Sequence, residues 1–574
     1  MLICYKFINF GAIMYKNLQQ FIKQLEKESL LVRIKVAVDP VLEIAELTDR
    51  ESKSAGGGRA LLFEKTGTDF AVLTNMMGSE RRIALALGVE ELDEVAQSID
   101  QMVHELLSPK TTLWSKLAVL PMMRNVASYL PRLKSGRGQC QQVVMREPSL
   151  AALPILKCWP ADGGRFITLP MVHTQEPKSG AQNVGMYRMQ VFDETTTGMH
   201  WHRHKTGQAH YAQSQGRMAV AVCLGGDPVY TYAATAPLPQ GVDEYILAGF
   251  LRKKAVRLVR CLTSDLRVPE DVDFVIEGYV DTTEPKSLEG PFGDHTGFYS
   301  LEDFYPLFHV TCITHRQGAI YPATIVGVPP QEDYYFARAT ERIFLSPIRA
   351  VVAPEVVDLW MPRAGVAHNL AVVVINKSYA GQAFKVASAL WGAGQMSLNK
   401  VLVVIDPTQM DYMEYIMERL HYFDASADTI VVRGALDVLD HTCAEVGFGG
   451  KMCVDLTLKN GQEGGDHTAL ERIPLEVELD DIFESELSFE ERLWVALGNV
   501  DPSRDITITG RRMYVDGRVK SLAARRWPNV VVSSPETIAL VDGRWDEYGL
   551  GEFISSPSVR YQRLNLGSGA SREG

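Results

Sequence analysis

Four of the thirteen histidines fall inside MHWHRHKTGQAH, and His200, His202 and His204 alternate as side chains do on one face of a strand. Three imidazoles on one face could bind zinc. The same spacing also describes a polar strand face that carries its histidines in water. Asn183 in NVGMYR lies five residues before Arg188, and EGPFGDHTG places Glu289 and Asp294 on a turn bearing Gly and Pro. Two carboxylates with an arginine can form a base, an acid and a charge clamp, because a cation within about 4 to 6 Å keeps a carboxyl ionised. Solvated acids on a surface turn are the plain alternative. SAGGGR at 54–59 could hold a phosphate on backbone N–H groups, but it is not G-x-x-x-x-G-K-S/T and follows no clear strand, so it reads as a flexible loop. The aromatics from Trp201 to Tyr211, with Met76 and Met77, read as core.

The elements that must position these groups follow from hydropathy. Leu18, Phe21, Ile22 and Leu25 fall at i, i+3, i+4 and i+7, which predicts an amphipathic helix. After it, LLVRIKV reads as a strand, VLEIAELTDRESKS as a helix, GGG at 56–58 as a break, and ALLFE and FAVLTNM as strands, an α/β opening. A Pro-, Ser- and Gly-bearing segment from Ser108 to Gly138 separates it from the next part. From Gln141 to Pro330, QVVMR, FITLPMVHTQ, MYRMQVF, RMAVAVCL, AVRLVRC, DFVIEGYV and FHVTCITH are short β-rich runs, which favour a barrel or sandwich. Beyond Pro330, LAVVVINK, a helix from Gln382 to Leu390, VLVVID, a helix from Met410 to Leu420 and TIVVRG alternate as in a parallel sheet. LNLGSGASREG has the Gly and Ser content of a frayed tail.

With 574 residues, 46% apolar and 22% charged, the chain supports three or four folded units. Lys and Arg number 58 against 70 Asp and Glu, a net charge of −12 with no block of one sign, which argues against a nucleic-acid backbone as partner. The eight cysteines are scattered without a C-x-x-C pair, the usage of reduced, buried thiols in a cytosolic protein. No apolar run reaches the roughly 18 residues that span a bilayer. Residues 1–13 are apolar but short, contain a Lys and lack a small-residue cleavage site, a poor fit to a secretory signal.

Together, ALLFE, NMMGSERRIALALG, LPILKCWPADGGRFITLP, NVGMYRMQ, HWHRHKTGQAH, EGPFGDHTGFYS, ATERIFL, SYAGQAFKVASALWG and GGKMCVDLT resemble, in order from about Ala60 to Lys459, the UbiD family of decarboxylases that use prenylated FMN. ATERIFL, ALWGAGQM and GALDVLDHT look most like its menaquinone-biosynthesis branch. The resemblance implies an α/β fold with a central split β-barrel, like those of flavin reductases, between N-terminal and C-terminal α/β domains. The units expected are 14–120, 121–330 for barrel, cofactor and metal site, 331–500, and a C-terminal extension and tail at 501–574. It implies a divalent metal, Mn2+ or Mg2+, on Asn183, His204 and Glu244. These residues and Arg188 would bind the cofactor, with K+ as a further ion. Hard oxygen ligands and a phosphate suit manganese better than zinc, which makes His200 and His202 neighbours and not ligands.

The family's catalytic trio falls on Arg188, Glu289 and Asp294. The implied reaction joins the substrate carbon bearing the carboxylate to the flavin, carbon dioxide leaves with its electrons drawn into the flavin, and Glu289 or Asp294 protonates the carbon. Some members have Glu where this chain has Asp294, whose carboxyl reaches one carbon–carbon bond less far. The Trp391–Gln395 stretch offers no basic residue for the cofactor phosphate. The resemblance further implies an aromatic or α,β-unsaturated acid substrate, such as a polyprenylated hydroxybenzoate or dihydroxynaphthoate of menaquinone or ubiquinone synthesis. A flavin prenyltransferase would supply the cofactor, and a cytoplasmic or membrane-peripheral homo-oligomer would be the working form. A split-barrel flavin oxidoreductase without decarboxylase activity is the competing expectation.

Overall fold

The computed structural model describes residues 15–107, 124, 126–203, 205–239, 241–484, 487–520 and 526–572. Residues 1–14 and most of the segment 108–125 lie outside these. The first helix, Leu18–Lys27, buries the four predicted apolar residues and is capped by Asn17, whose side chain accepts from Gln20 N. The strands Leu31–Ala37, Ala60–Lys65 and Ala71–Thr74 form one sheet, and its fourth strand, Ile320–Pro322, arrives from far along the chain to lie parallel to Ala71–Thr74. The segment at 54–59 is a packed corner and not a flexible loop. A Cβ on Gly57, where φ is +89°, would lie 1.9 Å from Gly78 O, and the Gly57 carbonyl accepts from Asn75 Nδ2 at 2.9 Å and Arg82 Nη2 at 3.0 Å. Carbonyls, not N–H groups, face the cation there, so the corner is the wrong polarity for a phosphate.

The central part is an antiparallel sheet in the order Thr196–Gly198, Leu307–His315, Phe274–Asp281, Arg217–Leu224, Met171–Gln175, Gln182–Met186, with Val143–Val144 also paired to Leu307–His315. Predicted β-rich runs supply four of the six strands, whereas Thr196–Gly198 and Gln182–Met186 lie wholly or largely outside them and AVRLVRC gives Arg257–Arg260, which pairs in a separate small sheet. The path is open, and among the described residues it closes into no barrel; what stands is mixed α/β structure around an antiparallel centre. Three eight-residue helices, Thr206–Gln213, Pro228–Thr235 and Glu244–Leu251, interrupt the β runs. Their weak amphipathic pattern hid them, although Asp227 before Pro228 is a readable start signal.

Beyond Pro330 a helix that the hydropathy pattern did not announce, Glu332–Pro347, leads into a five-stranded sheet. Its order is Val356–Trp360, Leu370–Ile375, Val401–Ile405, Phe448–Asp455, Thr429–Ala435. LAVVVINK and VLVVID pair in parallel as expected, but the third parallel strand is Phe448–Asp455, and TIVVRG, expected to continue the parallel set, runs antiparallel at one edge as Val356–Trp360 does at the other. The helix Gln382–Trp391 provides the long crossover that a parallel pair requires, whereas short connections serve the edges. The tail is not frayed over its described residues: Arg572 N donates to Trp527 O at 2.9 Å, Asn529 N to Ala570 O at 2.9 Å, and Asn529 Nδ2 to Gly569 O at 2.7 Å. Helix Pro535–Tyr548 packs against Glu43–Ser52, where Arg50 pairs with Glu46 and Asp542. The seven described cysteines are free and buried, and no described helix is long and apolar enough to cross a membrane.

Candidate active site

Arg188 leaves the strand Gln182–Met186 and points into the junction of the two-stranded ribbons that carry Glu289 and Asp294. Its Nε and Nη2 each stand 3.0 Å from Glu289 Oε1, Nη1 donates to Asp294 Oδ2, and Nη2 donates to Ser300 Oγ at 2.9 Å. The guanidinium also lies over the Phe292 ring, 4.8 Å from its centroid. Glu289 is 1% exposed. Burial would raise both acids, but His200 and Arg188 outweigh it at Glu289, and Arg188 and His295 do so at Asp294, so both carboxyls are held below the usual carboxylate range.

Each acid has its own histidine. His200 Nδ1 donates to Glu289 Oε1 at 2.7 Å, and its Nε2 meets His202 Nε2 at 2.5 Å. His295 Nδ1 lies 2.9 Å from Asp294 Oδ1. His200 and His202 lie in the loop after Thr196–Gly198, not on the strand face that their alternation predicts, and Trp201 between them is buried in the core. His204 lies outside the described residues, and among those described no group of three His, Cys, Asp or Glu is arranged to hold a metal.

Asn183 and Glu244 come together from different elements, the strand Gln182–Met186 and the first turn of Glu244–Leu251. The Asn183 amide sits 3.3 Å from Glu244 Oε1. With its oxygen on that side, two acceptors face each other without a donor between them, as two hard ligands do around a cation. With its nitrogen there it donates to Oε1 instead, and its oxygen accepts from Val184 N at 3.2 Å. Burial pushes Glu244 up to about 7, a carboxylate that a bound cation would ionise. The donor chemistry of this pair therefore fits a hard divalent ion.

Several groups around the site were not read from the sequence. His295 directly follows Asp294 in GDHTG and was readable there. His368, Tyr305 and Asp437 come from separate elements and carried no local signal. The Tyr305 ring lies 4.2 Å from that of His200. The Trp391–Gln395 stretch has no basic residue of its own, but Lys451 from Phe448–Asp455 stands 5.7 Å over the Trp391 ring and donates to Ser397 O at 2.8 Å.

Models of three successive domains of 3-octaprenyl-4-hydroxybenzoate carboxy-lyase match the chain in order: the N-terminal domain over residues 22–102, the Rift-related domain over 132–329 and the C-terminal domain over 334–456. The chain belongs to the UbiD family. It is a carboxy-lyase of that family, and its fold is the UbiD-class fold. An uncharacterized protein of Aquifex aeolicus is 48% identical over 457 residues, covering 78% of this chain and 93% of that one, and one of Helicobacter pylori is 33% identical over 593 residues, covering 91% and 95%. Among solved structures, the UbiD-class enzyme HmfF of Pelotomaculum thermopropionicum in complex with FMN is similar at 27% identity and a TM-score of 0.65, over 77% of this chain and 94% of that one. Vanillic acid decarboxylase of Sedimentibacter hydroxybenzoicus is similar at 25% identity and a TM-score of 0.68, over 78% and 93%.

Proposed function

We propose that this UbiD-family chain decarboxylates an aromatic or α,β-unsaturated carboxylic acid with prenylated FMN, and that Arg188, Glu289 and Asp294 are its catalytic residues. The observation that carries the reading is the buried cluster in which one guanidinium holds both carboxylates ionised. Prenylated FMN, when bound, supplies an electrophilic centre that takes up the electron pair released with carbon dioxide. The protein's share is to orient the acid, exclude water and deliver a proton. Arg188 steadies the departing carboxylate while keeping Glu289 charged. Glu289 Oε2 is buried without a partner, so it stands ready for a donor from cofactor or substrate. Asn183, His204 and Glu244 would hold Mn2+ or Mg2+ against the cofactor phosphate, with Arg188 beside the flavin and K+ as a further ion.

A polyprenylated hydroxybenzoate or dihydroxynaphthoate of menaquinone or ubiquinone synthesis is the substrate favoured here, supported by the carboxy-lyase whose domain models match and by the vanillic acid decarboxylase among the similar structures. The protein would then work in the cytoplasm or at the membrane surface as a homo-oligomer. A flavin prenyltransferase would provide its cofactor. An evolved dimeric form of HmfF is among the similar structures.

The test is to load the protein with prenylated FMN and manganese and to screen hydroxylated aromatic acids, with and without a prenyl chain, for carbon dioxide release. Release without added reductant is the expected result. Reductant-dependent turnover with no carbon dioxide would instead make it a flavin oxidoreductase on the same fold.

A further inference from the structure

Donors surround Asp294. Arg188 Nη1 donates to Oδ2, and His295 donates to Oδ1 twice, from Nδ1 at 2.9 Å and from its backbone N at 2.8 Å. A carboxylate engaged on both oxygens by two cationic side chains stays ionised, so the resting acid carries no proton of its own to give. His295 is the neighbour that can carry one. Its far nitrogen, Nε2, stands 3.2 Å from Nε2 of His368, a residue 9% exposed.

The backbone fixes the position of His368 at the start of the C-terminal sheet. His368 N donates to Gly365 O at 3.1 Å, and its carbonyl accepts from Lys400 N at 2.8 Å and Asn399 Nδ2 at 3.2 Å. One proton lies between the two Nε2 atoms, and its owner decides the charge on His295. If His368 accepts, both ring nitrogens of His295 carry hydrogen and the ring is an imidazolium.

The carboxylates around His295 favour that arrangement, and burial of His368 outweighs the pull of its own acidic neighbours. His295 faces Asp294 on its own loop, Asp333 at the start of Glu332–Pro347, and Asp437 beyond Thr429–Ala435. His368 faces Asp437, His295, and Asp440 with its partner Lys400. Burial works against a charge on His295, but the hydrogen bond to Asp294 and the surrounding carboxylates overcome it and hold the ring up to about 9. Burial pulls His368 down to about 4 and leaves it neutral, an acceptor.

We propose that His368 is a positioning residue for proton delivery: by accepting from His295 Nε2 it keeps His295 as the imidazolium that recharges Asp294. This rests on the decarboxylase reading, in which an acid must protonate the carbon that carbon dioxide leaves. The His295 Nδ1–H bond breaks as the proton passes to Asp294 Oδ1. Asp294 gives that proton to the carbon, where the electron pair left by carbon dioxide forms the new C–H bond. His295 is left neutral with its remaining hydrogen on Nε2, toward His368, and a solvent proton restores the imidazolium after product departs. Since His368 belongs to the C-terminal sheet and Asp294 to the central part, the acid is charged only where the two meet.

Two measurements separate this proposal from the reading beneath it. In protein without cofactor, isotope-labelled histidine rings are titrated by NMR, with His295→Gln to assign His295. His295 is expected to be charged near pH 8, and in His368→Phe its titration should move down by about one pH unit, a tenfold loss of proton affinity. His368→Gln, which keeps an acceptor in the place of Nε2, should restore it. A wild-type His295 that is neutral near pH 8 overturns the proposal without any variant having to fold, and so does a titration unmoved in His368→Phe. In enzyme loaded with prenylated FMN, kcat should fall on the alkaline side about one unit earlier in His368→Phe than in wild type or His368→Gln, with KM little changed; one common alkaline limb for all three overturns the proposal alone. Absence of decarboxylation for every acid, with the titration as expected, overturns the proposed function and the proton-delivery role with it.

Discussion

Arg188 and Glu289 meet on a single oxygen: Nε and Nη2 both lie 3.0 Å from Oε1, which also accepts from His200, while Oε2 is buried without a partner. The pairing leaves one face of the carboxylate committed and the other free. Glu289→Gln keeps the shape and the acceptor on the Arg188 side but removes the charge. The expected outcome is a folded protein that still binds flavin, with decarboxylation lowered by about 10²- to 10⁴-fold. Wild-type carbon dioxide release from Glu289→Gln would end the assignment of this trio.

Removing Arg188 has a second cost. Arg188→Ala would leave two buried carboxylates with no shared cation, and breaking a buried pair in this way costs about 3–5 kcal/mol. Thermal denaturation of the cofactor-free protein should therefore show a large fall in Tm, separate from any loss of activity. Arg188→Lys restores a charge without the planar fork that reaches Glu289, Asp294 and Ser300 together, so it should recover part of the stability and little of the rate. Equal Tm for Arg188→Ala and wild type would show that the cluster adds nothing to the fold.

These residues also mark how far the sequence could be read. Strands such as Arg217–Leu224 and Phe274–Asp281 were legible because β-branched runs bounded by turn residues report local structure. Arg188, Glu289 and Asp294 could be grouped from the sequence through the family resemblance, whereas the turn expected of EGPFGDHTG is two short ribbons that end on Glu289 and just before Asp294. What escaped was long-range. The strand Ile320–Pro322 joins the N-terminal sheet, the tail is pinned by Trp527 and Asn529, and His368 reaches His295 across two units. No local periodicity encodes such contacts. The alternation at His200 and His202 misled in a different way, since a period of two fits a loop as well as a strand.

The metal set can be tested apart from catalysis. Asn183 and Glu244 already converge, whereas His200 is committed to Glu289 and His202. Glu244→Gln and His204→Ala should each lose bound manganese and flavin, measured by elemental analysis and by absorbance. His200→Ala should keep both and lose rate, because Glu289 then loses a hydrogen bond. Equal metal loss in His200→Ala and His204→Ala would favour the three-histidine zinc site instead.

Stability should follow the Asp294–His295 pair with pH. The folded pKa of His295 is raised to about 9, so its contribution is fully present below its unfolded value of about 6.5 and is lost as pH rises through about 9. Asp294 is lowered, so its contribution is present above about 3.9 and lost as pH falls. The difference in unfolding free energy between wild type and His295→Gln should reach about 3 kcal/mol below pH 6.5 and shrink steadily toward pH 9. Denaturant melts across this range check it, and a difference that grows with pH would reverse the assigned sign.

Asp294→Asn divides proton donation from electrostatics. Asn keeps the length, and its single oxygen can still accept from the backbone N of His295, while its NH2 group faces Arg188 Nη1 and that bond is lost. It cannot pass a proton. If Asp294 is the donor, the variant should still take up substrate but stall at product protonation, and decarboxylation in heavy water should incorporate deuterium into product far more slowly than wild type. If Asp294 only balances the charge of Arg188 and His295, the defect should be about 10²-fold or less and the rate of incorporation should follow the rate of carbon dioxide release. Asp294→Glu adds a second control, because one more carbon–carbon bond of reach retains the acid while displacing it. A donor role predicts that Asp294→Glu keeps more activity on smaller acids than on bulky ones, whereas a charge-balancing role predicts one common factor for all of them.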